Sequence, residues 1–226
     1  MSFDPTSLAD FGGTARLFPL PDLVLFPSVV QPLHIFEPRY RQLMADALAG
    51  DRLIAMALLE PGWEKGYHKA PPIRPVVCLG RVLQEERLPD GRSNLLLQGL
   101  ARARILEELK TGKLYRSARV ELLWDVAPAS PQEEQELRRR LGRRLLQSFA
   151  GQPTALTQLR RLLDGDLALG PLCDIFAFAL PLDVGLKQQL LEEVDVGRRV
   201  RRLLAHLEPA PAAPPPRKFP PEFSVN

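Results

Sequence analysis

One apolar run, "LFPLPDLVLFPSVVQPLHIFEPRYRQLM" at residues 17–44, constrains the fold more than any other stretch. It is hydrophobic enough for a core, yet it carries Pro19, Pro21, Pro27, Pro32 and Pro38. Proline has no backbone N–H to donate, so central strands and helix interiors exclude it. The run therefore predicts short strands, "ARLFPLPDLVLF" and "SVVQPLHIF", with prolines where a strand begins, bulges or stops. The period then changes at "EPRYRQLMADALAG". Pro38 suits a first helical turn, where no donor is needed, and Tyr40, Leu43, Met44, Ala47 and Leu48 recur at helical spacing before Gly50. Glu37, Arg39 and Tyr40 resemble a catalytic cluster at first sight. They read better as the start of this helix, with Glu37 favouring the dipole, Tyr40 facing the core and Arg39 solvated or paired.

"DRLIAMALLE" (51–60) reads as a buried strand, followed by a breaker-rich loop, "PGWEKGYHKAPPIRP" (61–75). "VVCLGRVLQEERL" and "SNLLLQGL" flank "PDGR", a hairpin signal because Asp-Gly accepts the positive φ of a tight turn. "ARARILEEL" alternates Ala101, Ala103 and Ile105 with Arg102 and Arg104, and "YRSARVELLW" supplies a last strand. Six or seven short strands with one helix predict a partly closed β-barrel or sandwich. From "APASPQEEQEL" the pattern is helical, with Ser130 as cap, Pro131 at the first position and acidic residues in the first turn. Four or five Leu-rich helices up to residue 208 predict a bundle, two of them started by Asp183 and Asp195. The fold class is α+β. The expected division is an N-terminal extension (1–14), a β-rich lobe (15–127), a helical lobe (128–208) and a Pro-rich tail (209–226) expected to be extended or disordered.

Charge and motifs exclude several functions. Residues 1–130 carry 16 Lys/Arg against 15 Asp/Glu, and residues 131–208 carry 12 against 11. Neither half has the imbalance expected of a phosphate-binding domain, so nucleic acid is not an expected partner. Cys78 and Cys173 lie far apart without a CxxC pattern, which predicts buried thiols in a reducing compartment. The N-terminus lacks a basic stretch followed by an apolar one, and no apolar run approaches the ~18 residues of a membrane span. The expectation is a soluble cytoplasmic protein with no cofactor and no membrane partner. "TGKL" at 111–114 lacks the Gly and hydroxyl of a phosphate loop, and no GxSxG or HExxH string occurs.

Individual polar residues read as structural. His34 falls in an apolar strand run and reads as an edge residue, and Cys78 in "PVVCLG" as core. The neighbours Glu85 and Glu86 point to opposite strand faces, as do Glu107 and Glu108, so neither pair makes a dyad. "RRRLGRR" (138–144) and "GRRVRRL" (197–203) interleave with leucines and read as charged outer helix faces. The long loop 61–75 is the exception. Its aromatics make Trp63 and Tyr67 the candidate peptide-contact residues, because large aromatics on loops are disproportionately contact residues.

These segments together resemble a known family. "FPL" (18–20), "LVLFP" (23–27), "PLHIFEPRY" (32–40) and the helix after it look like the opening of the LON domain, the N-terminal substrate-binding domain of the protease Lon. "LGRV" (79–82), "GLARARI" (99–105) and "LPLDVGLKQQLLEEVDVGRRVRRLLAHL" (180–207) follow in family order. The resemblance implies a PUA-like β-barrel or pseudobarrel lobe followed by a helical bundle. It also implies recognition of unfolded or exposed apolar polypeptide segments in protein quality control, with a protease or chaperone as partner. Where many family members have glycine, this chain has Ser28. The family's ATPase and Ser-Lys peptidase segments have no counterpart in the sequence, so a non-enzymatic module is expected. The alternatives are a PUA-like nucleic-acid-binding protein and a small hydrolase whose Cys or His is assembled by the fold.

Overall fold

The computed structural model describes Leu8 and residues 11–151 and 153–207, without the side chains of residues 67–69 and 155. The tail 209–226 and most of the expected N-terminal extension lie outside the described residues. The β part comprises β1 (Thr14–Leu20), β2 (Val30–Ile35), α1 (Pro38–Leu48), β3 (Leu53–Leu58), β4 (Val76–Arg87), β5 (Ser93–Leu109) and β6 (Arg116–Leu123). A 3-10 turn, Trp63–Lys69, interrupts the connection from β3 to β4. The helical part comprises α2 (Pro131–Ser148), α3 (Pro153–Asp164), α4 (Leu169–Ala179), α5 (Val184–Glu192) and α6 (Val196–Leu207). The fold is α+β, as expected.

Five strands close on themselves. β1 pairs in parallel with β3 and antiparallel with β6. β3, β4 and β5 run antiparallel in turn, and β5 meets β6 to complete the ring. β2 lies outside the ring and pairs with the first part of β5. So small a barrel has a narrow interior, and alanines fill much of it: Ala15, Ala55, Ala57, Ala101, Ala103 and Ala118 are all buried. The opposite face of β3, with Ile54, Met56 and Leu58, packs into the second core shared with the helices. Burial on both faces explains why "LIAMAL" is continuously apolar rather than alternating.

The structure departs from the sequence reading at two strands. "SNLLLQGL" and "ARARILEEL" form one 17-residue strand, β5, instead of two. Gly99 stands beside a β-bulge that leaves Leu100 without a β4 partner, and the bulge bends this strand without ending it. A Cβ on Gly99 would come within 2.0 Å of the Phe26 carbonyl oxygen, so only glycine allows the approach. The bend lets residues before it pair with β2 and residues after it pair with β6. The second departure is at "DLVLF", which is not a strand. Val24, Leu25 and Phe26 are buried on irregular backbone between Pro21 and Pro27. The Ser28 amide then donates to the Gly99 carbonyl at 2.9 Å, and Ser28 turns the chain into β2 with φ of +66°.

Local signals place the helices. Ser130 Oγ accepts from the Glu133 amide at 3.2 Å, and Asp183 Oδ1 accepts from Gly185 at 2.8 Å. The apolar α4 is central, with Leu172, Cys173 and Ala177 fully buried. The two parts of the chain are joined by ionic bonds under cover. Arg102 of β5 reaches Asp174 of α4, and Arg199 of α6 reaches both Asp174, at 3.2 Å, and Asp125, at 2.8 Å. The sequence alternation places Arg102 opposite the barrel interior. That face is covered by helices rather than solvent, and Arg102 is buried. Arg199, read as part of a charged outer face, is also fully buried. Buried guanidinium groups need paired carboxylates, and this one pocket of charge supplies them to both.

Candidate functional site

Exposed apolar side chains occur at several places, Leu106, Leu114, Trp124 and Val126 among them, and one group lies along β2 and the neighbouring part of β4. In "VQPLHIF", Gln31, Leu33 and Ile35 turn inward, while Val30, Pro32, His34 and Phe36 are exposed. Val30 is 44% exposed and Phe36 is 60% exposed. The cross-strand register sets Pro32 beside Leu96 and Gln84, and His34 beside Asn94 and Glu86. These residues line a shallow concavity of about 420 Å³. A β-bulge between Val82 and Gln84 leaves Leu83 without a strand partner and 48% exposed. His34 Nδ1 lies 2.8 Å from Asn94 Oδ1, and its ring stacks on Phe36 with centroids 6.2 Å apart. Among the described residues β5 is the sole strand partner of β2, so the far edge of β2 is open. Pro32 on that edge limits further strand pairing. Chemically, this face offers apolar contact area with a polar margin.

The structure places the expected contact residues elsewhere. Trp63 and Tyr67 both lie in the 3-10 turn after β3. Trp63 is half-buried, and the Tyr67 side chain lies outside the described residues. The "EPRY" segment starts α1 as expected. Arg39 pairs with Glu37 at 2.9 Å, and Tyr40 is buried with its hydroxyl donating to the Pro19 carbonyl at 2.7 Å. Tyr40 also stacks on Phe18 at 4.0 Å. A cavity of about 430 Å³ lies between this segment and Ala70, Pro71 and Arg116. His34 is an edge-strand residue. Cys78 and Cys173 are buried, and burial raises both thiols, Cys173 to about 12. Glu85 pairs with Arg87 and accepts from Ser93 Oγ, while Glu86 accepts from Asn94. Among the described residues no group of three His, Cys, Asp or Glu could hold a metal ion, and no helix is long and apolar enough to cross a membrane.

The exposed face of β2 was missed because "SVVQPLHIF" reads as uniformly apolar. The usable signal was that a strand apolar on both faces needs two cores, and the edge of a small barrel provides only one.

A closed small barrel packed against five C-terminal helices defines an α+β fold. The chain belongs to the family of the ATP-dependent protease La (LON) substrate-binding domain, whose model matches residues 14–208. The Lon protease of Dictyoglomus thermophilum is 28% identical over 195 residues, covering 84% of this chain and 24% of that protein. The Lon protease of Escherichia coli K12 is 30% identical over 203 residues, with 85% and 24% covered. The chain thus spans about a quarter of the length of the curated relatives it matches. Among solved structures, a Lon N-terminal domain protein from Xanthomonas campestris is similar, with a TM-score of 0.61 and 25% identity, covering 85% of this chain and 97% of that one. The N-terminal domain of Lon protease from the Mycobacterium avium complex shares the fold, with a TM-score of 0.67 at 19% identity and 86% and 97% covered.

Proposed function

We propose that this chain is a non-enzymatic module that holds unfolded or exposed apolar polypeptide segments in protein quality control, acting in the cytoplasm beside a protease or chaperone. The observation that carries the reading is the outward apolar row Val30, Pro32 and Phe36 with Leu83 beside it. About half of each large side chain is still in water, and a partner that covers it gains about 1 kcal/mol per side chain before the cost of ordering the partner. Because the contact is mainly side-chain area, with few directed polar groups, binding is tolerant of sequence and weak per segment. The membership of a substrate-binding family agrees with this reading. Trp63 and Tyr67, on the 3-10 turn away from this face, are proposed as accessory contacts.

Amide hydrogen exchange with and without a permanently unfolded polypeptide tests the proposal. Protection is expected on β2 and around the β4 bulge. Protection confined to the 3-10 turn would move the site to Trp63 and Tyr67, and no protection anywhere would remove the reading.

A further inference from the structure

A second surface lies between α2 and α3. From Leu137 to Leu163 the sequence holds seven arginines and no acidic residue, while the acids of this region lie before it (Glu133, Glu134, Glu136) or after it (Asp164, Asp166). The helical spacing brings Arg138, Arg139 and Arg143 along a groove of about 590 Å³ between α2 and α3. Its floor is apolar, made by Gly142, Leu146 and Leu163. Gly142 is buried against Leu163, and a side chain there would begin to fill the groove. Arg138 holds the wall in place by donating to the carbonyls of Leu163 and Leu167. Arg139 and Arg143 are exposed on the rim. Arg139 has only the exposed Glu136 three residues away, at 2.5 Å, and Arg143 has no ionic partner among the described residues. An exposed pair one turn apart holds its charge weakly, so both guanidinium groups are available to a partner.

We infer that this groove docks an acidic amphipathic helix of a protein partner, with its apolar stripe on Leu146 and Leu163 and its carboxylates on Arg139 and Arg143. Two features select this occupant. The rim holds three arginines and the neutral Gln135, whose charge complement is an acidic segment, and Arg pairs with carboxylates in fixed bidentate geometry. The floor is aliphatic, which suits leucine-type side chains at helical spacing, whereas single-stranded nucleic acid is usually held by aromatic stacking platforms. The surface belongs to the helical lobe and does not depend on the reading of the β2 face.

Fluorescence anisotropy on the whole chain tests it, using a labelled Leu/Glu amphipathic helical peptide. Controls are the same peptide with Gln for Glu, a Glu-rich peptide without the leucine stripe, and an oligothymidylate. The Leu/Glu peptide is expected to bind with affinity that falls as salt rises. Arg139→Glu with Arg143→Glu should weaken it about tenfold or more, whereas Arg139→Gln with Arg143→Gln should weaken it less. Phe36→Asp with Leu83→Asp should leave it unchanged, separating this surface from the β2 face. Absence of binding, equal binding of the Gln peptide or the stripe-less peptide, indifference to the arginine reversals, or stronger binding of the oligothymidylate would each overturn the inference.

Discussion

Arg102 donates two parallel hydrogen bonds to Asp174, at 2.9 and 2.7 Å, across the boundary between barrel and helices. Both side chains are almost completely buried, and Arg102 also donates to the Leu191 carbonyl at 2.8 Å. Replacing Asp174 with Leu would leave Arg102 and Arg199 facing each other with only Asp125 between them. The expected loss is about 3–5 kcal/mol, the scale for an uncompensated buried charge. The double variant Arg102→Met with Asp174→Leu keeps the Arg199–Asp125 pair and should recover most of that loss. Urea unfolding of the three proteins checks it, and a double variant as unstable as the single would mean the pair itself holds the lobes.

The bend in β5 gives a second prediction. Gly99→Ala forces a methyl group into the Phe26 carbonyl and should cost about 3 kcal/mol or more, because backbone rather than a flexible side chain must move. Ser28→Gly acts in the other direction. It removes the left-handed penalty of about 1–2 kcal/mol, offset by about 0.5–1 kcal/mol of added chain entropy, so the melting temperature should stay level or rise. A marked fall in the Ser28→Gly melting temperature would contradict the account of this turn.

The difference between these residues also explains what was legible in the sequence. Pro38, Ser130 and Asp183 act on groups within a few positions of themselves, so the helices they start are readable one segment at a time. The apolar β3 and the "PDG" hairpin are legible for the same reason. Asp174 does its work on Arg102, which is 72 positions away, and no local pattern carries that relation. A carboxylate inside the otherwise apolar "GPLCDIFAFAL" was the one available hint, since buried carboxylates require a partner. Gly99 misled the reading in a similar way. It serves a close approach by Phe26, and in isolation such a glycine resembles a strand end. For the candidate site, the sequence supplied apolar residues, but exposure is a property of the assembled sheet.

Tyr115 donates to Asp46 at 2.7 Å and ties α1 to the start of β6. The Tyr115 hydroxyl, with Lys113 after it, holds the Asp46 carboxyl below its ordinary value. A depressed carboxyl contributes stability above its unfolded value, near pH 4, and loses it as pH falls through the lower folded value. Tyr115→Phe should therefore cost about 1–2 kcal/mol at neutral pH. The gap to the wild type should narrow below about pH 4. A gap that stays constant down to acid would show that the hydroxyl contributes packing alone.

Both thiols are shielded and raised by burial. Neither Cys78 nor Cys173 should react with a thiol-disulfide reagent in the folded protein, and labelling should follow the rate of global unfolding. Fast labelling of either one under native conditions would show that its part of the core opens locally.

The affinity of the intact chain for a permanently unfolded apolar polypeptide, compared with that of Phe36→Asp/Leu83→Asp, decides whether the β2 face binds polypeptide. Both positions are exposed, so the melting temperature should change little while binding weakens about tenfold or more. Equal affinity in the two folded proteins, or no binding by the wild type, would contradict the assignment of the β2 face as the polypeptide-binding surface.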